Sequence, residues 1–406
     1  MLCIVHAIGP AMQHPDLPTP APEALAHSDE LAALLRAEID ASGGAMPFSR
    51  FMELSLYAPG WGYYSAGASK FGESGDFVTA PEIGPLFAAV VSGALAPVLQ
   101  ALGPEARILE VGGGSGAFAE VTLKRLLELD ALPERYAILE PSADLRERQR
   151  ERLSRSLIPP VFDLVEWVDG PFPDDWDGVL FANEVIDALP TPRFTVREGE
   201  IYEETVQVDA QGRFVRAEQP ADALLSASVR HLEQYLETPF AEGYRSEVLP
   251  QLPYWIQAVA GGLKRGAMLF VDYGYPRREY YQAQRSDGTL RAFYRHRMHE
   301  DLYRWPGLQD LTASVDFTAL AEAGTGAGFE LAGYCSQASF LLGNGLDQLL
   351  EQADTRTDEV GRVRLREQVK RLTLPSEMGE RFQVMGFQSG VEFEAAFLVG
   401  DLTWRL

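Results

Sequence analysis

The sequence predicts an α/β fold built on a doubly wound, mostly parallel sheet. Three observations predict it. First, Arg107-Ile108-Leu109-Glu110-Val111 is a short apolar run that leads into Gly112-Gly113-Gly114-Ser115-Gly116, with a helical pattern over 118–129. That is a buried strand, a tight glycine turn and a helix N-terminus. Glycine suits the turn because it tolerates positive φ and lets a ligand approach the backbone. Second, strand-like stretches at 136–142, 162–168 and 177–182 alternate with helix-like ones such as 144–157. Third, two strand-like stretches end the chain, one at 329–335 and one at either 382–387 or 391–399.

Taken in order, residues 1–27 are rich in Pro and Ala without a clear period and read as a mobile tail. Ser28 reads as an N-cap, and Leu31, Leu34, Leu35 and Ile39 make one helical face that Gly43 and Gly44 stop. A second helix starts at 47–52. Tyr57, Trp61, Tyr63 and Tyr64, interleaved with Gly and Pro, and the Gly-, Asp- and Thr-rich run 72–82 then form a long loop. Long structured loops are often binding loops, although aromatics in such a loop can equally pack on the core. Residues 83–102 read as an apolar helix. The segment 28–104 thus precedes a core at 105–280.

Within that core Glu140 ends the second strand, where an acid can accept both ribose hydroxyls of a nucleotide-like ligand. The third strand ends near Glu166 and Trp167, whose indole reads either as an adenine platform or as a core side chain. The fourth runs into Asn183-Glu184-Val185-Ile186-Asp187-Ala188-Leu189-Pro190. Polar groups at the carboxyl end of this strand face the crevice of an open α/β sheet. Asn183, Glu184 and Asp187 therefore stand where a transferred group would meet its acceptor, or else Glu184 and Asp187 are a solvated pair at a helix start. Residues 193–218 alternate around Arg197-Glu198-Gly199-Glu200 and read as a hairpin insertion. Residues 254–263 read as a helix and 267–274 as a fifth strand. The Arg- and Tyr-rich segment 281–310 is a lid-like excursion, and 311–406 finish the sheet with a helical insertion at 343–379.

Two ligands compete for the glycine loop. Gly112, Gly114 and Ala117 satisfy the dinucleotide fingerprint. Glu110, Gly112, Gly114 and Gly116 satisfy the Glu/Asp-x-Gly-x-Gly-x-Gly pattern of S-adenosylmethionine (SAM) sites. A carboxylate repels the phosphates of a dinucleotide and attracts the ammonium and sulfonium of SAM, the more so in a partly desolvated cleft. Glu110 therefore favours SAM.

At 406 residues and 46% hydrophobic content the chain can bury a sizeable core. Its formal net charge of −24 disfavours nucleic acid and acidic membrane surfaces and would steer in a basic protein or peptide. Cys3 and Cys335 suggest neither a disulfide framework nor a zinc knuckle. His296 and His299 stand close but without a nearby third ligand, so no metal is expected. No apolar run reads as long enough to span a bilayer, so no membrane insertion is expected. The first basic side chain is Arg36, which fits neither a secretory signal nor a transit peptide, and a cytoplasmic location is the expectation.

Several ordered motifs together resemble the MidA-like family of SAM-dependent methyltransferases, from Phe51 to the C-terminus. They are Gly62-Tyr63-Tyr64, Gly75-Asp76-Phe77 with Thr79 and Pro81-Glu82, the glycine loop, Asn183-Glu184 with Asp187-Ala188-Leu189-Pro190, Asp272-Tyr273-Gly274, Leu311-Thr312-Ala313 with Val315-Asp316-Phe317, and Met378-Gly379-Glu380-Arg381-Phe382. The resemblance implies a Rossmann-like class I methyltransferase sheet with helical and lid-like insertions, and SAM as methyl donor. It implies a cofactor site of Glu110, Gly112, Gly114, Gly116, Glu140, Trp167 and Asn183, with the loop of Asp76, Thr79, Pro81 and Glu82 closing over it. Asn183, Glu184 and Asp187 are the expected catalytic residues. The family's mitochondrial relative is a protein-arginine methyltransferase serving complex I assembly. A protein substrate, its arginine as acceptor and a respiratory-complex-like subunit as client are therefore implied, with homo-oligomerisation left open. The family usually has proline between the first two glycines. Gly113 stands there in this chain, so a more flexible loop and weaker SAM affinity are expected. Two rival functions are a non-catalytic assembly factor that keeps SAM as a structural ligand and an NAD-dependent oxidoreductase.

Overall fold

The structure is a computed structural model that describes residues 17–65 and 79–406. The chain divides into two compact units. The second unit comprises residues 78–186, 251–276 and 315–406 and holds a seven-stranded sheet with a two-residue addition. Its strands in chain order are β1 (Arg107–Val111), β2 (Arg135–Leu139), β3 (Val165–Val168), β4 (Trp176–Asn183), β5 (Leu263–Tyr275), β6 (Glu330–Ser336) and β7 (Phe382–Ser389). Across the sheet the order is β3-β2-β1-β4-β5-β7-β6. Only β7 runs antiparallel to its neighbours in this row. The last strand is thus the 382–387 stretch, extended to Ser389, while 394–397 forms a short 3-10 turn. Val315–Asp316 adds a two-residue parallel pairing beside Gly274 and Tyr275.

Parallel strands covered on both faces need apolar side chains in both directions, which is why β1, β2 and β4 read as continuous apolar runs. Leu109, Ala137, Ile138, Val179 and Leu180 are fully buried. Ser142, which the sequence places in the strand-like stretch 136–142, instead caps helix α1 (Ala143–Ser156) by accepting from the Leu145 amide at 3.3 Å. Helix Pro85–Leu102 meets the length and apolarity of a membrane span, against the expectation that no apolar run is long enough. It packs instead into the core of this unit, where Leu86, Phe87, Val90, Val91, Leu95 and Val98 are buried beside Phe118 and Phe181. Helices Leu346–Arg356 and Glu359–Thr373 lie in the same unit and bury Leu346, Leu365 and Leu372 in that core.

The first unit comprises residues 1–77, 187–250 and 277–314. Its sheet pairs Met46–Pro47, Glu200–Val208, Arg193–Arg197 and Arg245–Glu247 in that order, with Phe214–Pro220 also on Glu200–Val208. The hairpin turn falls on Glu198 and Gly199, both at positive φ, as a tight two-residue turn requires. Residues of the 281–310 segment contribute Arg291–Tyr294 and Arg297–His299 to a small three-stranded sheet with Asp310–Thr312. The first helix begins earlier than the sequence suggests, at Pro22 with Ala21 in the cap position. Proline favours a first helical turn because its φ is already set and its missing N–H is no loss there. Ser28 therefore lies inside the helix and not at its start. Its buried hydroxyl donates to the Pro306 carbonyl at 2.9 Å. Arg193 is buried among Glu204 at 3.2 Å and Glu247 at 3.0 Å.

Two glycines let the centre of the second unit's sheet close. A Cβ on Gly178 would overlap the Arg107 carbonyl of β1, and one on Gly266 would overlap the Gly178 carbonyl. Gly178→Ala is expected to cost about 3 kcal/mol or more, a fall in Tm of roughly 6–12 °C. Gly170→Ala, at a position where a Cβ meets nothing, should change Tm little. Equal melting of the two variants in scanning calorimetry would refute the close-approach argument.

Candidate functional site

The strand order reverses between β1 and β4, and open sheets bind ligands outside the carboxyl ends of their strands at such a point. Register places Val111 of β1 opposite Ala182 of β4. The glycine loop and the residues after β4 therefore emerge side by side. Gly112, Gly114 and Gly116 hold φ values of 73°, 52° and 80°, which L side chains rarely adopt. Gly113 is different. It lacks positive φ, yet a Cβ there would lie 2.6 Å from Ile138 Cγ2 and 3.0 Å from Gln149 Nε2. A side chain at this position would therefore require Ile138 or Gln149 to shift.

Two carboxylates flank the loop. Glu110 is buried on β1 and accepts from the Tyr136 hydroxyl at 2.8 Å. Burial pushes its carboxyl up to about 8, against the pull of the Tyr136 bond and with the charge of Glu140 adding to the rise. Glu140 follows β2 and accepts from the Ser142 amide at 3.0 Å and from Gln149 Nε2 at 3.3 Å. Burial raises it to about 7, while those bonds and the charge of Arg146 hold it down. Two acids kept from ionising freely at neutral pH fit a ligand that brings positive charge and hydroxyl donors. A pyrophosphate would add negative charge to the same place.

Sequence reasoning missed Gln149 and the pair Ser115 and Arg152. Gln149, on α1, is fully buried and its Nε2 donates to the Gly114 carbonyl at 2.8 Å. Its Oε1 accepts from Trp167 Nε1 at 2.8 Å. Trp167 thus spends its indole N–H on Gln149, and Arg150 stands over its ring at 4.5 Å from the centroid. The signal available for Gln149 was a lone amide in a charged helix, facing the loop on the side where Leu145 and Leu153 face the core. Ser115 donates to Glu82 and accepts from Arg152 at 2.9 Å. Glu82 is thereby tied to the loop. Thr79 and Pro81 sit at the start of the same short helix, Ala80–Ile83, where the Thr79 carbonyl accepts from the Glu82 amide at 3.0 Å. Asp76 lies outside the described residues.

At the end of β4, Asn183 donates to Glu184 Oε1 at 3.1 Å. Among the described residues no hydrogen-bond partner meets its buried Oδ1. Glu184 holds φ at 54°, an uncommon conformation for a non-glycine residue. Its amide donates to the Val271 carbonyl at 2.9 Å, which pins the chain as it leaves the sheet. Residues 184–188 form bends and turns and no helix, so the reading of Glu184 and Asp187 as a pair at a helix start is set aside. Asp272, also buried, accepts from the Ile186 amide at 3.1 Å. The structure brings Glu82, Glu110, the three glycines, Glu140, Trp167, Asn183 and Glu184 together in the second unit. Asp187 belongs to the first unit, where its carbonyl accepts from the Ala313 amide at 2.9 Å.

A family model for S-adenosyl-L-methionine-dependent methyltransferases matches residues 90–335. A Burkholderia thailandensis protein whose crystal structure contains S-adenosyl-homocysteine is 42% identical, with a TM-score of 0.89 over 96% of this chain and 100% of that one. The Drosophila melanogaster protein arginine methyltransferase NDUFAF7 homolog, mitochondrial, is 29% identical over 94% of this chain and 90% of its own length. The Homo sapiens protein arginine methyltransferase NDUFAF7, mitochondrial, is 29% identical over 84% of this chain and 79% of its own.

The raised carboxyls have a consequence for stability. An acid whose folded value lies above its ordinary 4.5 keeps protons that the unfolded chain gives up, so ligand-free stability falls as pH rises from about 4.5 to about 8. Glu110→Gln removes one of these charges. The variant is expected to lose fewer degrees of Tm than the parent between pH 5.5 and pH 8, and to bind S-adenosyl-homocysteine more weakly. Parallel pH profiles for variant and parent would contradict this.

Proposed function

The chain belongs to the family of S-adenosyl-L-methionine-dependent methyltransferases described by that model, and we propose that it methylates a protein arginine. The observation that carries the acceptor is the pair of relatives named protein arginine methyltransferases, matched over most of their length. The site's chemistry supports it through the carboxylate of Glu184, held by a strained backbone beside the glycine loop. Within this reading Glu140 accepts the ribose hydroxyls, Glu110 balances the positive end of the cofactor, and Gly112, Gly114 and Gly116 admit it to the backbone. Asn183 offers its buried Oδ1 to a donor on the ligand. Glu82, through Ser115, braces the loop. Asp187, in the first unit, carries no assigned step.

When bound, SAM supplies a methyl group on a sulfonium that departs readily. The chain's part is alignment and charge. A guanidinium stays protonated in water, so its near nitrogen is a poor nucleophile. Glu184 holds the positive charge toward the far nitrogens, leaves a lone pair on the near one, and accepts the proton that this nitrogen gives up as it takes the methyl group. The acidic surface, with a net charge of −24, favours approach of a basic segment. The client proposed from the family resemblance is a respiratory-complex-like subunit, and the proposed location is the cytoplasm, on the grounds of only two cysteines.

Glu184→Gln is expected to bind SAM within about threefold of the parent and to lose at least about a hundredfold in transfer. The measurement is label transfer from methyl-labelled SAM to an arginine-rich peptide, with peptide mass mapping to locate the methyl group. Unchanged turnover in Glu184→Gln would remove that residue from the mechanism. Label on lysine or a carboxylate would overturn arginine as acceptor. Gly114→Val should abolish SAM binding in calorimetric titration, because any side chain at that left-handed position narrows the loop.

A further inference from the structure

The bonds of Gln149 set it apart from the other residues of α1. One buried carboxamide meets the glycine loop, the acid after β2 and the indole of β3 at once. Its orientation is forced. The Trp167 N–H requires the amide oxygen on its side, so the amide nitrogen faces the Gly114 carbonyl and the Glu140 carboxylate, two acceptors. A flipped amide would set oxygen against oxygen at both places and nitrogen against nitrogen at Trp167. The same nitrogen occupies the space beside Gly113. A glutamate here could not donate to either acceptor, and a leucine could not hold either.

We propose that Gln149 is a positioning residue for the cofactor, holding the glycine loop and Glu140 to each other so that both present one prearranged face to the adenosine end of the ligand. This rests on the reading of Glu140 as the ribose acceptor. Trp167 acts as the anchor that keeps the carboxamide from turning. The donated bond from Gln149 also favours the ionised Glu140 that a ribose hydroxyl needs as acceptor. Among the described residues, Arg146 on α1 and Glu110 on β1 are the other charged groups acting on that carboxylate. Gln149 is neutral, so it orients Glu140 without neutralising it.

The test is calorimetric titration of the full chain with S-adenosyl-homocysteine and with its 2′,3′-dideoxy analogue, from pH 6 to pH 9. The proteins are the parent, Gln149→Met, Gln149→Glu and Trp167→Phe. In the parent, affinity should rise with pH through about 7 and the analogue should bind more weakly. Gln149→Met should weaken binding about tenfold or more, move the pH midpoint upward and narrow the gap between the two ligands. Gln149→Glu should be weaker still. Trp167→Phe, which leaves the carboxamide in place but unanchored, should move the midpoint in the same direction by less, and it serves if a Gln149 variant fails to fold. A purely structural Gln149 would lower Tm and leave the pH midpoint and the ligand gap alone, and that result overturns the proposal. Equal binding of the two ligands by the parent would instead overturn the ribose role of Glu140.

Discussion

Glu110 and Glu140 stand at the carboxyl ends of β1 and β2 with their charges withdrawn from water and with few partners to offset them. Such an arrangement costs stability in the ligand-free chain. It makes sense beside a cofactor that carries positive charge at one end and vicinal hydroxyls at the other. The Tyr136 hydroxyl, the Ser142 amide and the Gln149 carboxamide hold the two carboxylates in fixed directions without cancelling their charge. The site is thus prearranged at the expense of the apo fold, as a ligand-binding surface with buried acids must be.

Everything else in the second unit serves to keep the ends of β1, β2 and β4 at that spacing. Gly178 and Gly266 allow neighbouring backbones to approach where a methyl group would overlap a carbonyl. The apolar helix Pro85–Leu102 fills the volume beside these strands. Ser115, Glu82 and Arg152 tie the glycine loop to the segment that precedes this helix. The strain at Glu184 is of the same kind. A left-handed non-glycine residue persists only where its surroundings over-determine it, and here the Val271 carbonyl and the turn at 184–188 do so.

The first unit solves a different problem. Arg193 is buried with Glu204 and Glu247, and the Tyr303 hydroxyl donates to Glu204 at 2.7 Å. The Thr289 amide donates to Glu247 at 2.9 Å. Buried ion networks of this kind add little net stability over apolar packing, but removing one partner leaves an uncompensated charge. Here the network joins the sheet to the 287–290 segment and so determines where that segment lies.

The strands were legible along the chain because parallel buried strands announce themselves as apolar runs, and because β1 and β2 are each followed by a helix. The glycine loop was legible because Gly-x-Gly-x-Gly after an acid has few other uses. Glu140 and Asn183 could be placed from their strand ends alone. The start of the first helix was not, since Pro22 and Ser28 are both acceptable starts and only the packing of Ser28 against Pro306 decides between them. Gln149 showed in the sequence only as a lone amide at the spacing of Leu145 and Leu153, for its role depends on Gly114, Glu140 and Trp167, which are far from one another in sequence. The order and type of elements follow from local periodicity, which the chain carries in itself. The partners of a buried polar group, the raised carboxyls and the space beside Gly113 exist only once distant strands share one sheet, because each depends on distances between residues that the linear chain does not specify.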